Sequence, residues 1–313
     1  MSLKNVIIAG ATGSLGAPIL SALLNEPSFN ITILTRTTSS AQLPANIRVK
    51  KVSDAFTVSE LTEAFKGQDA VVVALSTTPI TKDDLAFRLI DAAVAAGVKR
   101  FIPSEFGSNN LDPRARKLVP VYDAKGAMLE YLQKRAAETG GRLTWTSFSC
   151  GSWLDWALNP AKSNNFLSIS VKHRTATIYD SGLSRFSVTT SSNTALAVVK
   201  SLLISSETAN KQIFTSDFVT NSREIVAALE KQLGSKFKID EKDSAPILRE
   251  ASQKFDAGEY NATFSLLAMS FVADVDVGYD FEKEQTVWNE RLGLPKVGLD
   301  EVVKEAIELA DRS

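Results

Sequence analysis

Apolar residues in the first half of the chain fall into short unbroken runs separated by stretches with helical spacing. The runs Val6–Ala9, Ile31–Thr35, Ile47–Val52, Ala70–Leu75, Arg100–Pro103 and Leu143–Ser149 read as six strands. Between them Ala17–Leu24, Val58–Phe65, Leu85–Ala96 and a stretch from Tyr122 to Thr139 read as helices. Apolar strands alternating with amphipathic helices predict a parallel sheet covered on both faces. Such a doubly wound sheet takes its ligand beyond the carboxyl ends of its strands. Candidate chemistry is therefore expected in the glycine turn after the first strand, at Arg36 and Asp54, and at Ser76–Thr78, Ser104–Gly107 and Phe148–Trp153.

After residue 150 the alternation stops. Leu167–Val171, Thr175–Tyr179, Phe186–Thr189 and Gln212–Phe214 suggest small strands, and Trp153–Leu158 is short and aromatic. Asn193–Leu203, Ser222–Gln232, Ala245–Phe255 and Asp300–Ala310 read as helices. The expected fold class is α/β. A doubly wound parallel sheet covers residues 1–150 and a smaller α/β lobe covers 151–313, with segments near 186–215 returning to the first sheet.

The first turn is the most specific local feature. Asn5-Val-Ile-Ile-Ala-Gly-Ala-Thr-Gly-Ser-Leu-Gly16 places Gly10, Gly13 and Gly16 between a strand and a helix. Glycines there let backbone N–H groups approach a pyrophosphate, and the helix N-terminus favours its charge. Thr12, Ser14 and Leu15 complete the expected cradle. An ordinary strand–helix turn of small residues is the plainer alternative. Arg36 ends the second strand, where folds that prefer NAD place a carboxylate for the ribose 2′-hydroxyl. A guanidinium there pairs with a 2′-phosphate instead, which points to NADP(H). Thr37 to Ser40 can donate further hydrogen bonds. A solvated arginine at a strand end is the alternative.

Composition narrows the classes. The 313 residues are 44% hydrophobic and 23% charged, with a net charge of −1. This is a globular composition that gives no support for nucleic-acid binding. No apolar run approaches the ~20 residues of a membrane span. The N-terminal run is too short and strand-like for a signal peptide, so a cytoplasmic location is expected. One cysteine, Cys150, excludes an intrachain disulfide, and one histidine, His173, leaves no His/Cys zinc site. His173 stands in the polar string Val-Lys-His-Arg-Thr and reads as a surface residue.

A further string carries a family resemblance. Lys99-Arg-Phe-Ile-Pro-Ser-Glu-Phe-Gly107 closely resembles the "RFxPSEFG" signature of the isoflavone reductase-like and NmrA-like families, which are atypical short-chain dehydrogenases. Gln68-Asp-Ala-Val-Val-Val73 resembles the family's "gvDvVi" strand, and Asp54 falls where the family has an acidic residue. The resemblance implies a Rossmann-type fold and a lysine opening the helix between the fifth and sixth strands. Lys125, in Tyr122-Asp-Ala-Lys-Gly-Ala-Met-Leu-Glu, stands there. An ammonium beside a cofactor can hold a ribose hydroxyl, donate a proton, or act as base if burial lowers its pKa. A solvated helix lysine is the alternative.

Thr144-Trp-Thr-Ser-Phe-Ser-Cys150 resembles the family's "TYVSSNCF", whose residues line nicotinamide and substrate. That assigns Phe148 to both. The chain departs from the family at Gly151, where a bulky aromatic is lost; Trp153 and Trp156 can restore an aromatic wall, or serve as core aromatics. Tyr122, three residues before Lys125, shares its helix face and is a second proton-donor candidate, with a packing tyrosine as the alternative. Ser76 and Thr77 are placed against the nicotinamide, and Ser104 and Glu105 are implied to organise the loop on the ribose side. Asp54 either accepts from the adenine amine or caps the helix beginning near Thr57. The implied activity is NADPH-dependent reduction of a small, aromatic carbonyl, enone or quinone-methide-like substrate. The alternative is an NmrA-type regulatory protein that senses NADP without turnover.

Overall fold

In the first strand Val6 and Ile8 point to one side and Ile7 and Ala9 to the other, and all four are buried. That is what a strand covered on both faces requires. The computed structural model describes residues 3–163 and 165–312. The first half runs β1 (Asn5–Ala9), α1 (Gly16–Leu24), β2 (Asn30–Arg36), β3 (Arg48–Val52), α2 (Val58–Phe65), β4 (Ala70–Val73), α3 (Thr77–Lys82), α4 (Leu85–Ala95), β5 (Arg100–Ile102), α5 (Pro113–Leu118), α6 (Pro120–Glu138) and β6 (Thr144–Ser149). The second runs α7 (Leu154–Ala157), β7 (Ile169–Ser170), β8 (Thr175–Tyr179), β9 (Phe186–Val188), α8 (Ser191–Leu203), β10 (Lys211–Phe214), β11 (Phe218–Thr220), α9 (Ser222–Leu233), β12 (Lys238–Lys242), α10 (Ala245–Asp256), α11 (Ala262–Val272), α12 (Phe281–Glu284) and α13 (Leu299–Asp311).

Seven strands form one parallel sheet in the order β10-β6-β5-β4-β1-β2-β3. The fold is a Rossmann-like α/β sheet with smaller sheets beside it. Val6 and Ile8 pack with Ile19 and Leu23 of α1 and Val198 and Leu202 of α8. Ile7 and Ala9 pack with Phe65 of α2, Leu89 of α4 and Leu129 of α6. From β1 the chain winds outward through β2 and β3, then crosses back to place β4 on the other side of β1. The crevice between the ends of β1 and β4 is thus the switch point, where ligands of such sheets bind.

The boundary expected at residue 150 is crossed from both sides. Helix α8 covers the large sheet and β10 extends it beside β6, whereas β9 pairs with β11 in a separate antiparallel ribbon. In the other direction Val119, Val121 and Tyr122 join the second lobe's core with Phe186, Ile225, Phe271 and Phe281. Strands β12, β8 and β7 form a third small sheet. Among the described residues no helix is long and apolar enough to cross a membrane.

The glycine turn is fixed by backbone against backbone. Gly10 has φ +87°, and a Cβ on it would lie 2.4 Å from the Ala74 carbonyl oxygen. A Cβ on Gly16 would lie 1.9 Å from the Gly10 carbonyl oxygen, whereas one on Gly13 would make an ordinary contact at 3.4 Å. Gly16→Ala is therefore expected to cost about 2 kcal/mol of stability through overpacking. Gly13→Ala should leave the urea midpoint close to that of the wild type. Equal midpoints for the two variants would contradict this assignment.

Candidate functional site

A cleft of about 420 Å³ opens at the switch point. Gly13, Ser14 and Leu15 form one end, Ala74 to Thr78 and Ser104 to Gly107 the floor, and Lys125 projects from α6. Thr12, Gly13 and Ser14 are the exposed tip of the turn, while Leu15 and Gly16 are buried beneath it. Leu15 caps α1 without a side-chain hydrogen bond, so the first N–H groups of that helix have no side-chain acceptor at the cap. The exposed tip at Thr12, Gly13 and Ser14 and this helix end fit a diphosphate.

Arg36 and Asp54 meet beyond β2 and β3. The Arg36 guanidinium donates to Asp54 at 3.3 Å, and the Thr38 hydroxyl donates to the same carboxylate oxygen at 2.8 Å. Both charged side chains are about half exposed, 55% and 47%, so the pair contributes at most about 1 kcal/mol and yields readily to a phosphate. Asp54 does not cap α2: Thr57 does, in a capping box with Glu60. Lys50 and Lys51 are exposed, as is His173.

Ser76 caps α3 and, with Thr77, lines the cleft. Ser104 is buried and donates to the Leu75 carbonyl at 2.8 Å, tying the loops after β4 and β5 together. Lys125 is partly buried on α6, which starts at Pro120, where the missing N–H leaves no donor unpaired. Its ammonium donates to the Glu105 carbonyl at 2.7 Å. Burial lowers the Lys125 pKa, opposed by the Glu105 carboxylate and then by Cys150. The Cys150 thiol is itself buried and pushed up to about 12, and it accepts a 3.2 Å hydrogen bond from the Trp153 indole.

Two expectations are corrected by burial. Phe148 is fully buried and does not line the cleft; it stacks on Phe106, centroids 5.9 Å apart, and Phe106 lines the cleft in its place. The side-chain alternation along β6 turns Phe148 into the core shared with α8. Tyr122 lines the cleft by its ring, but its hydroxyl pairs with that of Tyr279, which also meets the Ser270 hydroxyl at 2.8 Å. Burial raises the Tyr122 pKa well above its ordinary value. Its hydroxyl thus joins α6 to the second lobe and is held away from Lys125's role.

Gly151 is dictated by packing. Its φ is +65°, and a Cβ would lie 2.0 Å from the Ser187 carbonyl oxygen, where β9 passes. The missing aromatic is replaced by a row of rings. Trp153, Trp156, Phe166 and Phe271 follow edge to face with centroid spacings of 6.5, 5.6 and 6.0 Å. Phe264, Leu267 and Phe271, three and four residues apart on α11, complete that wall. Helix α11 was not expected from the sequence; the signal was the nearly unbroken apolar run Ala262–Val272, which shows no helical stripe because the helix is covered on most sides. Across the cleft's edge the Thr81 and Tyr260 hydroxyls bond, and the Lys82 ammonium lies 5.6 Å from the Tyr260 ring centroid.

Residues 10–178 match a family model described as NAD(P)H-binding. Over 310 residues the chain is 36% identical to oxidoreductase aprR of Aspergillus flavus, covering 98% of this chain and 100% of that one. Among solved structures, leucoanthocyanidin reductase from Vitis vinifera superposes with a TM-score of 0.75 at 19% identity, covering 97% of this chain and 99% of its own. Isoflavone reductase gives 0.72 at 18% identity, covering 97% and 99%. The last two likenesses concern the fold.

Gly13→Val is expected to abolish NADPH binding, read by calorimetry, because a branched side chain would fill the approach to the turn. Full binding by a folded variant would mean that the turn does not hold the diphosphate.

Proposed function

Because the chain belongs to the family described as NAD(P)H-binding and is 36% identical along nearly its whole length to an oxidoreductase, we propose that it is an NADPH-dependent reductase of the isoflavone reductase-like, NmrA-like type, acting on a small aromatic substrate bearing a carbonyl, enone or quinone-methide-like carbon. The observation that carries this reading is the placement of the Lys125 ammonium between an anion cradle and an aromatic wall, within one cleft. When bound, the reduced nicotinamide supplies the hydride.

The protein's own residues supply position and charge. The turn from Gly10 to Gly16 and the start of α1 hold the diphosphate, and Arg36 grips the 2′-phosphate with Thr38 alongside. Asp54 keeps the guanidinium in place. Ser76 and Thr77 border the nicotinamide, and Ser104 shapes their loop by its bond to Leu75. Trp153, Trp156 and the face of α11 exclude water and favour a flat apolar ligand. Lys125 holds a proton at Nζ and gives it to the substrate atom that becomes basic on reduction. Partial burial makes that proton easier to release than in an exposed lysine. The buried free thiol of Cys150 fits a reducing, cytoplasmic setting.

Incubation of NADPH with a panel of enones, quinones and aromatic ketones should give loss of the reduced-nicotinamide absorbance with at least one of them. No turnover with any, together with equally tight binding of both redox forms, would overturn the reductase reading in favour of a sensor. Lys125→Ala should lower turnover by about 10²-fold or more with NADPH affinity largely kept; unchanged turnover would remove Lys125 from the proton step. Arg36→Ala should weaken NADPH far more than NADH, and an equal loss for both would refute the 2′-phosphate assignment.

A further inference from the structure

Glu105 is 2% exposed, yet it belongs to the wall of the cleft. One carboxyl oxygen, Oε2, accepts a 2.7 Å hydrogen bond from the Asn110 amide, and Oε1 has no hydrogen-bond partner among the described residues. A buried carboxyl with a bare oxygen is costly unless a positive charge nearby offsets it. Lys125 is that charge: its ammonium sits on the carbonyl of the same residue at 2.7 Å.

We propose that Glu105 is the positioning residue for Lys125: its buried carboxylate keeps the Lys125 ammonium protonated and seated on the Glu105 carbonyl, so that the proton is present where reduction needs it. This rests on the reading of Lys125 as proton donor given above.

The charges around the pair support the assignment. Lys125 and Tyr122 face it from α6 and Cys150 from the end of β6; the tyrosine and the thiol are buried and held neutral. Arg116 of α5 is taken by Asp123 at 2.8 Å and Glu130 at 2.5 Å, and Arg114 by Asp112 and Asp276. Burial pushes the Glu105 carboxyl up to about 7, with Lys125 and then Asn110 pulling the other way. Burial likewise lowers Lys125 while Glu105 raises it. Each group therefore favours the other's charge, against the larger effect of burial. Removing the carboxylate leaves the desolvation of the ammonium opposed only by the smaller influence of Cys150, and Lys125 then loses its proton at lower pH. In the wild type the two charges coexist above about 7 and below the point where Lys125 deprotonates.

The pair can be tested on the folded protein without substrate or nucleotide. Acetic anhydride labels only the neutral amine, so the extent of Lys125 acetylation against pH, read by peptide mass spectrometry, gives its midpoint. Glu105→Gln should lower that midpoint by about one pH unit or more, as for loss of an adjacent opposite charge, and Glu105→Asp should largely restore it. A wild-type midpoint in folded Glu105→Gln would overturn the proposal. If the glutamine variant does not fold, Lys125→Ala gives the reciprocal reading: the carbon-13 carboxyl resonance of Glu105 should titrate higher than in the wild type, and an unmoved midpoint would overturn the coupling. In turnover, the alkaline limb of the pH profile should move down in Glu105→Gln with NADPH affinity kept. A shifted acetylation midpoint with unchanged turnover in Lys125→Ala would sink the proton-donor reading alone, leaving the charge coupling standing.

Discussion

The architecture depends on one close contact of backbone with backbone. The Gly10 carbonyl lies where a Cβ of Gly16 would be, and the Ala74 carbonyl lies where a Cβ of Gly10 would be. This draws the end of β1, the start of α1 and the end of β4 into one knot. No side chain fits in it, so the knot is rigid by exclusion. Its consequence is a helix start fixed beside the switch point of the sheet, with no side-chain acceptor at its cap before any anion arrives. Preset donors do not have to reorganise when charge is placed against them.

The other side of the cleft is built by a different force. There the second lobe packs its aromatic face, from Trp153 through Phe166 to Phe271, over the ends of the sheet strands. Apolar walls remove water and make the few charges near them matter more. Lys125 and Glu105 are such charges: burial disfavours the charged form of each, and each partly offsets that cost for the other. Tyr122, on the same helix as Lys125, and Tyr279 join the two lobes through their hydroxyls. The walls and the polar groups are therefore parts of one packing arrangement, in which α6 is shared between both cores.

The first half of the fold was legible because each strand and helix announces itself locally. Six strands and four helices of that half fall within a few residues of their expected places, as Val58–Phe65 does to the residue. Helices α3 and α5 were missed, each six residues long, too short to show a hydrophobic stripe. In the second half β12 was missed because its residues Lys238–Lys242 are exposed and all but Ile239 charged, and it is a strand only through its pairing with β8. The turn, Arg36, Ser76, Thr77 and Ser104 could be singled out from their positions after strands, because a parallel sheet brings those positions to one edge; Lys125 was singled out only by the resemblance of its segment to the family's motif.

What the sequence determined by itself is thus the sheet, its winding and the edge at which ligands gather, since periodicity and glycine spacing are local properties of the chain. What only the tertiary structure decided is which side chains reach the cleft and in what charge state. Phe148 near the end of β6 and Phe106 just after β5 stack on each other, yet one is core and the other is wall. Glu105 is an ordinary loop carboxylate until the fold buries it beside Asn110 and Lys125. Such outcomes depend on contacts between residues far apart in the chain, and on the desolvation those contacts impose, which no local pattern encodes.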